Sequence, residues 1–152
     1  MSVNIAVLAP AAAPILQPVV LLALWTMVMW AWLYATRIPA MRQLAVDPDR
    51  LARDPDASLD RLLPPQIQWK AHNYNHLHEA PTVFYAIALV LALTGNGHGL
   101  NASLAWAYLL IRVVHSLVQA LVNKVILRWA LFMLSSLVLL ALIIRAALVV
   151  FG

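Results

Sequence analysis

Four stretches of the chain are apolar over the length of a bilayer crossing, and three segments of different character separate them. The first runs about Ile15 to Thr36, the second about Gln66 to Leu93, the third about Leu100 to Val122 and the fourth about Ile126 to Val150. Each supplies the roughly 20 residues that a helix needs to cross hydrocarbon. Pro10, Pro14 and Pro18 interrupt the apolar N-terminal stretch, which predicts an irregular entry followed by a helix. Trp30, Trp32 and Tyr34 crowd the far end of the first span, as suits a membrane interface, and Arg37 and Pro39 are expected to close it. The second span starts well before its apolar part. The third span is separated from the second by Gly95-Asn96-Gly97-His98-Gly99, a turn without charged residues in which His98 reads as a surface residue. Asn123-Lys124 makes a tight connection to the fourth.

Residues 37–65 have a different pattern. Arg37, Arg42, Arg50, Arg53 and Arg61 alternate with Asp47, Asp49, Asp54, Asp56 and Asp60, and Asp-Pro-Asp occurs at 47–49 and again at 54–56. A calcium loop would need a central Gly and a closing Glu that this segment lacks. A solvated, turn-rich loop is the expectation, ended by Pro64-Pro65 ahead of the next helix. Lys and Arg concentrate in this loop and recur at Lys124 and Arg128, which places both odd-numbered loops in the cytoplasm and both termini on the other side. Arg145, late in the fourth span, breaks this trend and is expected to snorkel to the interface.

Two spans carry polar stripes. Lys70 to Pro81 contains three of the five histidines and the only glutamate, and it runs directly into an apolar segment. At 100° per residue, Gln68, His72, Asn75, His76 and Glu79 share one face, continued by Val83 and Ala86. In the third span Tyr108, Arg112, His115, Gln119 and Asn123 recur every three or four residues. By helical rise, Glu79 lies roughly 13 Å in from Lys70, and Arg112 roughly 18 Å in from Lys124. Similar depth and opposite charge predict a Glu79–Arg112 pair, within one chain or between copies. Ionisable groups at such depth cost free energy and mark a site by default.

Composition narrows the meaning of these stripes. Of 152 residues, 64% are hydrophobic and 11% charged, and the mean hydropathy is +0.84, as for an integral membrane protein of one domain, residues 1–152. No Lys or Arg precedes Arg37, so no cleavable signal peptide is expected. The net charge of +4 is spread along spans and loops, so a nucleic-acid partner is not expected. The absence of cysteine excludes thiolate ligands and a protein thiol nucleophile, so any thiol chemistry must use a thiol carried by the substrate.

Three readings follow from the residues. The stripes could simply bind helices together. They could wall a polar cleft, open toward the cytoplasm, for a charged ligand. The excess of Arg112, Arg128 and Lys70 over nearby acids suits a carboxylate-rich one. His72, His76, Glu79 and His115 could also hold a metal, although a di-iron enzyme would need more ligands than these, and no metal is expected.

At these residues the chain resembles the MAPEG family, the membrane-associated proteins in eicosanoid and glutathione metabolism. The resemblance rests on the four spans, the long charged first loop, the segment from Lys70 to Tyr85, and Arg112-Val113-Val114-His115-Ser116 followed by Gln119, Asn123 and Arg128. The first segment is similar to the version found in bacterial members. The family implies an all-α, left-handed four-helix bundle assembled as a homotrimer in a membrane, here a bacterial inner membrane. It also implies glutathione, as co-substrate, bound between adjacent subunits near the cytoplasmic face. On that resemblance, Lys70, Asn75 and Glu79 stand where second-span contacts to glutathione lie. Glu79 would receive the amino group, and Lys70 and Arg112 the carboxylates. His72, His115 and Gln119 complete the ligand-binding set from the two stripes. Arg128 is the first candidate for stabilising the thiolate and Arg112 the second.

The pattern departs from the family in places. Lys70 replaces the usual arginine, the His72, Asn75 and Glu79 spacing is longer than usual, and Gln119 replaces a tyrosine. The implied activity is conjugation of glutathione to lipophilic electrophiles from the bilayer, or reduction of lipid hydroperoxides. The competing reading is a non-catalytic membrane protein that binds lipid or a partner through the same cleft.

Overall fold

In the computed structural model, which describes residues 13–54 and 58–152, each of the four apolar stretches forms helix long and apolar enough to cross a membrane. The irregular entry expected before Ala13, and Asp56 of the second Asp-Pro-Asp, lie outside the described residues.

Helix α1 spans Leu16–Gln43. Pro18 falls in its first turn, where an N–H would lack an intrahelical acceptor in any case. Arg37 and Pro39 do not close this helix, contrary to expectation. Pro39 deletes one backbone hydrogen bond, but the helix continues to a C-cap where Leu44 N–H reaches Ala40 O at 3.1 Å. Arg37 itself is tied laterally, donating to Gln68 Oε1 at 3.2 Å. The charged segment beyond is partly helical. Helix α2 covers Pro48–Arg53 and α3 covers Leu59–Leu62, with Asp47 accepting from the Asp49 N–H at the start of α2.

The second span is two helices, α4 (Pro65–His76) and α5 (Ala80–Leu93), rather than one. Pro81 causes the division. Its ring crowds the carbonyl four residues back, at Leu77, and it has no N–H to offer that carbonyl. Residues 77–79 form the turn between them, with Glu79 at φ −91°, ψ −100°. Helix α6 (Gly99–Leu117) passes into a π-helical turn at Val118–Val122, ended by Asn123 in the left-handed conformation at φ 54°. Helix α7 (Val125–Phe151) completes the bundle.

Helices α6 and α7 form the most extensive pair, and α1 packs along α4, α5 and α6. The core contains Leu22, Met29, Phe84, Leu91, Tyr108 and Leu142, with Ala88, Ala105 and Ala146 letting the helices approach closely. Val20, Leu24, Leu110, Leu137 and Leu140 are exposed on the outside. Such a surface suits lipid, where every backbone group must be satisfied within the helix.

One end of the bundle is closed by backbone. The Ile15 N–H donates to Gly97 O at 3.0 Å, and a Cβ at Gly97 would stand 2.7 Å from Ala13 Cβ and 2.8 Å from Ile15 Cγ2. Near the same end, Arg145 is held by a side chain of α6. Its Nε donates to Asn101 Oδ1 on α6, and Asn101 in turn donates to Asn96 O at 2.8 Å. A guanidinium in an apolar helix surface gains more from a neighbouring amide than from lipid.

Candidate functional site

The opposite end carries the broken span, the π-helical turn and a groove of about 240 Å³ lined by His76, His115, Val125, Arg128, Trp129 and Phe132. The start of α7 supplies four of these residues because Val125, Arg128, Trp129 and Phe132 fall on one side of its first turns, with Arg128 half-buried between exposed Val125 and Trp129. The last turn of α4 supplies His76. The buried stripe of α6 supplies His115.

The rings are ordered against one another. His76 stacks on Phe132 with centroids 5.6 Å apart and meets His115 edge-on at 5.3 Å. Nδ1 of His76 lies 2.5 Å from Glu79 Oε2, across the turn between α4 and α5. Arg128 Nη1 donates to Asn123 Oδ1 at 2.5 Å. The cation of the groove is thus tethered to the residue whose left-handed backbone ends the π-helical turn, a conformation that Asn tolerates better than most residues.

Arg112 lies behind the groove and is 0% exposed. Its Nη2 donates to the carbonyl of His76 at 3.0 Å. That carbonyl is the last of α4, at the negative end of the helix dipole. The Glu79 carboxylate does not bond Arg112. It bonds His76, and His76 stands between the two charges. Within the chain the expected pair is absent because Glu79 lies on the exposed face of the span, with Asn75, Val83 and Ala86, while Arg112 is buried.

The third-span stripe faces inward. Tyr108, Arg112, His115 and Gln119 are all buried, and Tyr108 stacks on Phe84 at 4.5 Å. The second-span face is different. His72, Asn75, Glu79, Val83 and Ala86 are exposed, and Asn73 is buried instead, accepting from the Ser116 hydroxyl at 3.0 Å. Of the residues singled out from the sequence, the groove brings together Arg128, His115 and His76. Lys70, His72, Asn75, Glu79, Gln119 and Arg112 do not line it. Lys70 donates to Gln66 O at 2.8 Å and sits over the Trp32 ring at 5.3 Å. His72 is engaged by Asp60 of α3 at 3.2 Å. Among the described residues, no group of three or more His, Asp or Glu side chains is arranged to hold a metal.

The sequence profile of the MAPEG family matches residues 15–148. The chain belongs to the MAPEG family. It is an integral, multi-pass membrane protein of that family, with an all-helical fold of four candidate spans. Comparison with curated proteins finds no match, and neither does comparison with solved structures. Within this MAPEG chain, Phe132, Trp129, Asn73 and Ser116 have site or supporting positions that the stripes alone did not assign. For Asn73 a signal existed. Leu91, Ala88, Phe84, Pro81 and Leu77 are buried residues spaced three or four apart along the span, and continuing that spacing backwards reaches Asn73. For Phe132 and Trp129 none did, because an aromatic on an apolar helix looks the same facing lipid or a groove.

Proposed function

We propose that this MAPEG protein binds glutathione in the groove beside Arg128 and uses the thiolate against lipophilic substrates. The observation that carries the reading is the placement of Arg128. Its guanidinium is held at the junction between a polar wall, His76 and His115, and the apolar start of α7, Val125, Trp129 and Phe132. A tripeptide with two carboxylates can meet the cation from the aqueous side, and an electrophile can enter from the lipid side.

In this reading Arg128 lowers the pKa of the bound thiol, and the proton leaves to solvent. The thiolate sulfur then forms a C–S bond with the electrophile. The displaced group departs with the electron pair, or the developing anion takes a proton. With a lipid hydroperoxide the sulfur attacks the O–O bond instead. The alcohol leaves, and a second glutathione reduces the sulfenic acid to give the disulfide and water. The chain contributes charge and proximity, not a covalent residue.

We further propose a left-handed bundle assembled as a homotrimer, in a bacterial inner membrane, with both termini non-cytoplasmic. The exposed polar face of the second span supports assembly. Asn75 and Glu79 at the lipid boundary are costly unless covered, and a neighbouring copy that covers them would bring them, with Lys70 and His72, to a groove. Gln119 then acts from the buried side as a supporting polar group.

Binding of glutathione to the purified protein, read by calorimetry and by ultraviolet absorbance of the bound thiolate, tests the reading. Arg128→Ala is expected to abolish the thiolate signal. Failure of the parent protein to bind glutathione at millimolar concentration overturns it, leaving the non-catalytic reading in which the groove holds lipid or a partner. Crosslinking in mild detergent tests the trimer separately.

A further inference from the structure

Two arginines were candidates for the ligand-facing cation, and their surroundings differ in kind. Arg128 lines the groove. Arg112 is wholly buried behind it, and the acceptor it holds is main chain, the His76 carbonyl at 3.0 Å. That carbonyl is in need of a donor. With α4 ending at His76, the local alternative is the Glu79 N–H at 3.5 Å, at the limit of a hydrogen bond. A span broken inside an apolar bundle exposes its terminal carbonyls to hydrocarbon, and each unsatisfied one costs free energy.

We propose that Arg112 is a positioning residue. It fixes the break that Pro81 makes in the second span, and through that break it fixes the His76 ring that walls the groove. Two contacts on the far side of His76 support this. The ring is stacked on Phe132 and its Nδ1 faces Glu79, so backbone and ring of one residue are held from opposite sides. Moving the His76 carbonyl would move the wall that faces Arg128. The functional half of this proposal rests on the glutathione reading above. The thermodynamic half does not.

The test is a double-mutant cycle on the full-length protein in detergent. Pro81→Ala supplies the missing N–H and lets the span run on as one helix, so the His76 carbonyl can find a donor from Ala80. Arg112→Leu is expected to lower Tm by roughly 5 °C or more in the parent, and by less than half as much in the Pro81→Ala background. Equal losses in both backgrounds overturn the proposal. If Arg112→Leu does not fold in the parent, folding restored by Pro81→Ala supports it, and no restoration counts against it. Arg112→Lys supplies the functional arm. It keeps a donor for the carbonyl, so the thiolate absorbance of bound glutathione is expected to persist, with KM raised several-fold and kcat little changed. Loss of that absorbance in a folded Arg112→Lys protein would make Arg112 a thiolate-stabilising group and overturn the positioning role. If the parent binds no glutathione, the Tm cycle still decides the strut, while the reading of the groove fails on its own.

Discussion

Arg128 turns back along its own chain to Asn123, so the groove's cation is aimed by the residue that closes the preceding π-helical turn. Asn123→Gly keeps the left-handed backbone and deletes the amide. Glutathione affinity is expected to fall roughly tenfold, the loss of one hydrogen bond to a charged group, with Tm nearly unchanged. Asn123→Ala is expected to lose the same affinity and about 1 kcal/mol of stability as well, because alanine resists that backbone conformation. Calorimetric titration and thermal unfolding separate the two effects: unchanged affinity in Asn123→Gly would contradict the tether, and equal Tm in the two variants would contradict the backbone requirement.

Ser116 and Asn73 form a buried polar pair between α6 and α4, at 3.0 Å. Ser116→Ala leaves the Asn73 amide oxygen without a donor and is expected to cost about 1–3 kcal/mol. Adding Asn73→Leu is expected to recover much of that, since an apolar pair needs no partner. A double variant less stable than Ser116→Ala by thermal unfolding would show that Asn73 has another partner.

Gly97 and Gly95 occupy the same turn for different reasons. A methyl at Gly97 meets Ala13 and Ile15 inside ordinary contact distance, whereas around Gly95 there is open space and a φ of +75°. Gly97→Ala is expected to cost about 1–3 kcal/mol by overpacking, and Gly95→Ala about 1 kcal/mol from the backbone alone. Trimming Ile15 to alanine relieves only the contact made by its own side chain. Thermal unfolding of the two single variants, with and without Ile15→Ala, checks the assignment: any rescue is confined to Gly97→Ala.

Asn101 holds the Arg145 guanidinium beside α6. Asn101→Ala is expected to destabilise the protein by about 2 kcal/mol, by leaving a cation at the bundle surface without its amide. Arg145→Leu in the same chain is expected to restore part of the loss. Simple additivity of the two changes would mean that Arg145 has its main partner in the lipid headgroups.

Most of the architecture could be read from the sequence because a bilayer imposes few solutions: four apolar runs of the right length, ended by charge or glycine, become four spans. The inward stripe was equally legible, since α6 and the π-helical turn after it keep Tyr108, Arg112, His115 and Gln119 all buried. The second span was not. A helical wheel grouped Asn75, Glu79, Val83 and Ala86 on one face, but it does not say which face packs inward, and this one is exposed. Reading that face as inward assigned Glu79 to Arg112, while within the chain Glu79 bonds His76. Arg37 and Pro39 misled for a related reason. They are ordinary stop signals, but Gln68 of α4 holds Arg37 and the helix runs on beside it. The groove itself depends on tertiary placement of Phe132 and Trp129, for which spacing carries no mark.

A span made of two helices is also, mechanically, two bodies joined by a short link. Backbone hydrogen bonds transmit twist and tilt along an unbroken helix, but between His76 and Ala80 that ladder is interrupted. A shift of α4 as something enters or leaves beside His76 therefore need not be passed to α5, whose far end adjoins the turn where Gly97 receives Ile15. The molecule can adjust in one leaflet while its other end stays stitched, and amide hydrogen exchange should divide at residues 77–79, faster on the α4 side.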